Sequence, residues 1–262
     1  VGLFIRSVLL IIAIVGSHSS FAYDHSYKSY NEILKQVVVV EGHQSFVDYA
    51  KLKSDTSSLD DFIEGIEYIG KTEFDAWSRE QQIAFLINAY NALTIKLILT
   101  EYPVDSIKDY GGFIVNSPWH RNFFTLFGKD STLNIIEHDF LRKQYKEPRL
   151  HFVLVCASRS CPPLINEAYV ADKLEQQFTD ATTNFLRDTE RNRFDAANDK
   201  LELSKIFKWY KKDFITSAGS VNAYVAPLMT DDAALRTLIA NKETKIKFLE
   251  YDWSLNDTKQ KI

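Results

Sequence analysis

The chain has only two cysteines, six prolines and nine glycines among its 262 residues. Two cysteines are too few for a disulfide scaffold. The glycines are scattered, and Gly111-Gly112 stands outside any strand-to-helix fingerprint, so no glycine-rich loop is available to cradle a nucleotide phosphate. The Gly-x-Ser-x-Gly elbow of serine hydrolases is missing. So are Cys-x-x-Cys and His-Glu-x-x-His, the tight spacings of thioredoxin-type redox sites and of zinc peptidases. Basic blocks are absent too. With 31 Lys and Arg against 35 Asp and Glu, the net charge is −4, and nucleic-acid binding, which needs clustered cations, is not expected. There is no internal repeat, low-complexity tract or Gly/Ser-rich linker.

What is present starts with an export pattern. Arg6 precedes the apolar run Val8–Val15, and Ser20-Phe21-Ala22 is a small-x-small cleavage site before Tyr23. Residues 1–22 therefore read as a signal peptide, and residues 23–262 as a single globular domain, exported to a periplasmic or extracellular space. The apolar run is shorter than the ~20 residues that span a bilayer, so no transmembrane anchor is expected after cleavage. Loss of Arg6 moves the net charge from −4 to −5. An apolar content of 45% and an aromatic content of 13% are ample for a large core.

The periodicities along residues 23–262 are mostly helical. Tyr30, Ile33, Leu34 and Val37 predict an opening helix, with Val37–Val40 equally readable as strand. Leu59, Phe62, Ile63, Ile66 and Ile69 give a second. Ser78-Arg-Glu-Gln81 is a capping box leading into Ile83–Leu99, apolar nearly all round and ended by Pro103. A helix apolar on every face belongs in the centre of a domain. Asn134–Glu137 predicts a capped helix reaching Tyr145, and Leu150–Ala157 a buried strand. Further helices are expected over Val170–Leu186, from Ser204 to Phe214, and over Val221–Leu228 and Asp231–Ala240, with a final strand from Lys245. Turn residues predict hairpins around Gly128 and Asn198-Asp199. Without βαβ alternation, this is α+β: a helix-rich single domain with a buried central helix and a small, mostly antiparallel sheet.

Several segments are long enough to be specific. Ala84-Phe-Leu-Ile-Asn-Ala-Tyr-Asn-Ala-Leu-Thr-Ile95, Ile136-Glu-His138, Pro148-Arg-Leu-His-Phe152 with Leu154-Val-Cys-Ala-Ser158 and Cys161-Pro162, Leu203–Phe214 and Tyr251-Asp-Trp-Ser-Leu-Asn256 occur in that order. On them the chain, over about residues 28–256, resembles the domain of unknown function 547 family. One departure is Leu86, where an aromatic is expected, and the coiled-coil region that plant members add is missing. The resemblance brings no established reaction with it.

The chemistry centres on Cys156 and Cys161, the two cysteines of the chain. A strand over Leu150–Ala157 would send His151 and Cys156 to opposite faces, about 16 Å apart. A base for Cys156 would then come from another element, with His138 the named supplier and Glu137 or a central-helix Asn as orienting group; Cys161 is freer to meet His151, His138 or His120. On this reading the chain is expected to be a thiol-dependent hydrolase or transferase, its nucleophile and base brought together by the fold. Asn88 and Asn91 share one helix face and either tie loops to the helix or face substrate. Arg149 and Arg159 either receive an anionic group or pair with acids such as Asp139 or Glu147. Trp209, Tyr210 and Trp253 are core or cavity wall, and Asp213 is a third-group candidate.

The alternative class is a non-enzymatic binding or scaffold module with a Cys156–Cys161 disulfide. Closing that six-residue loop would contribute about 2 kcal/mol. No cofactor is evident. His138, His151, Cys156, Cys161 and Glu137 are zinc-ligand types, but their spacing carries little, and the metal content stays unknown.

Overall fold

The computed structural model describes residues 23–109 and 117–260; the expected signal peptide and the Gly111-Gly112 turn lie outside them. The chain opens with helix α1 (Lys28–Val37), which runs directly into β1 (Val38–Glu41), so both readings of that segment hold, one after the other. β1 pairs antiparallel with β2 (Gln44–Val47). Three further helices follow, α2 (Tyr49–Ser54), α3 (Ser57–Glu67) and α4 (Lys71–Ala76). They pack around α5 (Arg79–Glu101), whose residues from Ile83 to Leu99 are buried except Lys96. α5 is long and apolar enough to cross a membrane, yet it is enclosed by the protein as its core helix.

Both reciprocal bonds of the predicted capping box form: the Ser78 hydroxyl accepts from the Gln81 N–H, and the Gln81 side chain accepts from the Ser78 N–H. Ser78→Ala is expected to lower stability by about 1 kcal/mol, read as a shift in the urea midpoint with unchanged slope. An unchanged midpoint would mean that the cap does not hold this helix end.

β3 (Phe124–Leu126) and β4 (Lys129–Ser131) make the second hairpin. Its turn is Phe127-Gly128, both at positive φ, the requirement of a two-residue type I′ turn. The helix expected from Asn134 is present over Ile135–Tyr145, but it is a π-helix, and Asn134 does not cap it. The Thr132 hydroxyl accepts from the Ile135 N–H instead, at 3.1 Å.

The strand expected over Leu150–Ala157 does not form. Pro148–Phe152 is a 3-10 turn, and Val153–Ala157 runs irregularly through the core. α6 (Leu174–Leu186) packs on that turn. β5 (Arg193–Asp195) and β6 (Lys200–Leu203) are antiparallel, as the Asn198-Asp199 turn predicts. The helix expected from Ser204 to Phe214 is broken at Tyr210 into α7 (Ile206–Trp209) and α8 (Lys211–Ala218). α9 (Val221–Met229) and α10 (Ala233–Ala240) precede β7 (Lys245–Phe248), which joins β6 in parallel. The fold is α+β; among the described residues its strands form three small sheets, with one parallel strand pairing among antiparallel ones.

Two apolar cores result. The larger surrounds α5; the smaller contains Phe185, Phe207, Phe214 and Tyr224. The Pro148–Phe152 turn joins them, because Leu150 and Val153 belong to the first and Phe152 to the second. Both cysteines follow within a few residues of that junction.

Candidate functional site

The cysteine loop is held from three sides. From α5, the Asn91 amide donates to the Val153 carbonyl at 2.9 Å, and its oxygen accepts from the Val155 N–H at 3.0 Å. From the C-terminal segment, the Ser160 N–H donates to the Asp252 carbonyl, the Arg159 N–H to that of Ser254, and the Asn256 N–H to that of Ala157. From below, buried Arg191, paired with Asp188, donates to the Cys161 carbonyl. Ala157, between Cys156 and the buried Ser158, is left-handed at φ 59°. That conformation is unfavourable for a residue with a Cβ and persists only where its surroundings impose it.

A cavity of about 260 Å³ opens beside the loop. Cys156, Cys161 and His151 line it together with Glu137 and His138. Its aromatic wall includes Tyr90, Trp119, Trp209, Tyr210, Tyr251 and Trp253. Trp209, Tyr251 and Trp253 pack mutually with centroids 4.6 to 5.7 Å apart, and Trp209 is still 46% exposed. Because no strand separates them, His151 and Cys156 face one cavity rather than opposite sides of a sheet. No hydrogen bond joins the two among the described residues.

Cys156 is half-buried and Cys161 buried. Burial pushes the Cys156 thiol up, but hydrogen bonds from Cys161, Ser158 and Tyr251 outweigh it, and the group titrates at about 7. Two of these contacts are 3.1 Å to Ser158 Oγ and 3.3 Å to the Tyr251 hydroxyl. Cys161 goes the other way, its thiol pushed up by burial and by the neighbouring Cys156. At neutral pH Cys156 is therefore ionised in a large fraction of molecules, while Cys161 stays a thiol.

Across the cavity, His151 Nε2 lies 2.8 Å from Asp213 Oδ2. Burial lowers the His151 pKa although Asp213 favours the charged ring. Asp213 is held below the ordinary carboxylate range, first by the His151 hydrogen bond, with Arg142 adding to it. A neutral ring donating from Nε2 to that carboxylate leaves Nδ1 as an acceptor. Tyr210 stacks on the ring at 3.8 Å between centroids and donates to Glu137 at 2.8 Å. Arg142 donates to Asp213 and, at 2.6 Å, to His138 Nδ1. Arginine only donates, so His138 is the tautomer protonated at Nε2.

Both shifts in the His151–Asp213 pair run downward. An unfolded chain binds a proton on His151 below about pH 6.5, and one on Asp213 below about 3.9, before the folded chain does. Their contribution to stability is present at neutral pH and lost on acidification. Tm is expected to fall between pH 7 and 5, less steeply in His151→Asn; equal slopes would contradict the buried neutral ring.

The other expected site residues lie elsewhere. Asn88 is buried in the core, where its amide donates to the Tyr169 carbonyl and accepts from the Tyr169 N–H. Arg149 is paired with Glu147 at 2.8 Å and Glu175 at 2.6 Å. Arg159 lies 3.8 Å from Asp252 and stacks over Phe46. None of these three, nor Asn91, lines the cavity. The disulfide of the alternative reading is not formed: both cysteines are free thiols, and Cys161 Sγ accepts from the Cys156 N–H at 2.8 Å. Among the described residues no group of three His, Cys, Asp or Glu side chains is placed to hold a metal. Sequence reasoning missed Ser158 and Tyr251 as partners of the thiol. The signal available was the Tyr251–Asn256 segment: Tyr251 and Trp253 line the cavity, while the backbone of Asp252, Ser254 and Asn256 bonds the cysteine loop.

Fold and cavity define an α+β domain built around a thiol-lined, aromatic-walled cavity. Residues 74–186 match the family described as "Protein of unknown function, DUF547". The match is narrower than the expected 28–256: it takes in α5, the Ile135–Tyr145 helix and both cysteines, while Asp213 and Tyr251 lie beyond it. No curated protein and no solved structure matches the chain.

Proposed function

We propose that this protein is an exported, thiol-dependent acyl hydrolase or acyltransferase with Cys156 as its nucleophile. The observation that carries the reading is the thiol itself: half-buried in a cavity wall, with two hydroxyls and a second thiol gathered on its sulfur, and titrating at about 7. A nucleophile poised near the working pH combines a large thiolate fraction with high intrinsic reactivity. Export rests on the leader pattern of residues 1–22.

In this reading the Cys156 thiol gives up its proton as its sulfur attacks the carbonyl carbon of an acyl substrate, forming the C–S bond and moving the carbonyl π electrons onto oxygen. The thiol proton passes to His151 Nδ1, oriented by Asp213 through Nε2, and from there to the leaving group, which departs with the electrons of its bond to carbon. The Ser158 and Tyr251 hydroxyls, already within reach of the sulfur, donate to the oxyanion. Water, or an acceptor hydroxyl or amine, then attacks the thioester, breaks the C–S bond and restores the thiol. The aromatic wall and His138 hold the substrate.

Brief alkylation of the unreduced protein at pH 7, followed by intact-mass and peptide analysis, tests this. One adduct at Cys156 is expected, with Cys161 unmodified. A mass two units low with no adduct, or labelling of Cys161 alone, would sink the proposal.

A further inference from the structure

A second cleft of about 510 Å³ lies behind the His151–Asp213 pair, between the C-terminal half of the Ile135–Tyr145 helix and the start of α8. Arg142, Lys143, Lys146 and Lys212 line it, against the two carboxylates Glu147 and Asp213. Both carboxylates are already engaged, Glu147 by Arg149 and Asp213 by His151 and Arg142. Lys143, Lys146 and Lys212 form no ion pair with any described residue, although the chain as a whole is acidic at −4. Arg142 gives one N–H to His138 and two to Asp213, leaving two of its five donors unused. The cleft thus gathers three lysines without an ion pair, beside the partly engaged Arg142, in a concave surface, which raises the local concentration of anions.

We infer that this cleft is a binding site for a phosphate-class dianion. A carboxylate brings one charge and two acceptor atoms, too few for three ammonium groups and a guanidinium edge. A phosphate brings about two charges and at least three oxygens, and it matches charge-assisted bonds from several directions. Lysines act there as mobile point charges and the guanidinium edge as the fixed donor.

The test is calorimetric titration of the full chain, carried as Cys156→Ala so that thiol chemistry plays no part, with inorganic phosphate and separately with glycerol phosphate. Ionic strength is held constant with chloride. Saturable binding of both probes is expected, weakened at least tenfold by Lys143→Ala/Lys212→Ala and largely kept by Lys143→Arg/Lys212→Arg. The four substitutions are at exposed positions, so circular dichroism should show the native fold in each. Absence of saturable heat for both probes, or equal affinity in the alanine and unsubstituted proteins, would overturn the assignment. Loss of alkylation at Cys156 would leave it standing.

Discussion

Substituting Cys156 by Ser is expected to slow attack on a small electrophile by roughly a hundredfold or more at pH 7, because an alcohol has almost no anionic fraction there. The unsubstituted protein should show a labelling rate that climbs with pH and is half-maximal at about 7. Three neighbours set that midpoint from different distances. Cys161→Ala removes the hydrogen bond that favours the thiolate most, and Tyr251→Phe and Ser158→Ala remove the two hydroxyls. Each should move the midpoint upward, Cys161→Ala the furthest. Burial opposes ionisation in all of them and is untouched by these changes, so nothing in the variants compensates. A stopped-flow labelling series from pH 5.5 to 9 measures the order. A flat profile, or a midpoint that stays at about 7 in all three variants, would mean that the hydrogen bonds around the sulfur do not control it.

Asn91→Ala is expected to destabilise the fold by about 2–6 kcal/mol, since it leaves a buried donor and a buried acceptor without partners at ~1–3 kcal/mol each. The side chain is 1% exposed, and its two bonds go to Val153 and Val155, in a stretch with no secondary structure of its own. The effect should not stay local. Cys156 follows Val155 directly, so thiol labelling of the folded variant should lose its half-maximum near 7 as the loop relaxes. Denaturant unfolding followed by fluorescence gives the first number and the labelling profile the second. A variant of native stability would show that the C-terminal segment and Arg191 hold the loop without Asn91.

The same two bonds explain why the sequence misled at this place. Val153-Leu-Val-Cys-Ala157 is apolar and bounded by prolines, which reads as a buried strand because strands are the usual way to satisfy buried backbone groups. Here an amide on α5 supplies what a neighbouring strand would have supplied. A tertiary hydrogen bond between residues 62 and 64 positions apart has no local signature. The error propagated, since strand alternation alone separated His151 from Cys156. The central helix was legible for the opposite reason: its cap, its apolar run and its terminating proline all lie within one stretch. Both hairpins after residue 120 were likewise written in their turns. The parallel pairing of β6 with β7 was not, because it joins segments 45 residues apart along the chain, Lys200 to Lys245.

At the site, residue types were easier to read than roles. Glu137, His138, His151 and both cysteines were named from their chemistry, and all five line one cavity. Asp213 was visible as a third group, and the structure joins it to His151. The π-winding of Ile135–Tyr145 was not visible, because α and π turns share composition. Such turns recur at functional sites, and this one carries Glu137 and His138 to the cavity and Arg142 to Asp213.

The most direct measurement of the central claim is mass spectrometry of the protein quenched in acid during reaction with an activated ester such as p-nitrophenyl acetate. The account predicts a burst of one equivalent of nitrophenol, a single acetyl adduct on Cys156, and slow loss of that adduct as water completes the cycle. In Cys156→Ser the burst disappears, and in Asp213→Asn the adduct forms and decays more slowly. Nitrophenol release without a thioester at Cys156, or no release above the Cys156→Ser background, would contradict it and leave a binding module whose thiol takes no part in chemistry.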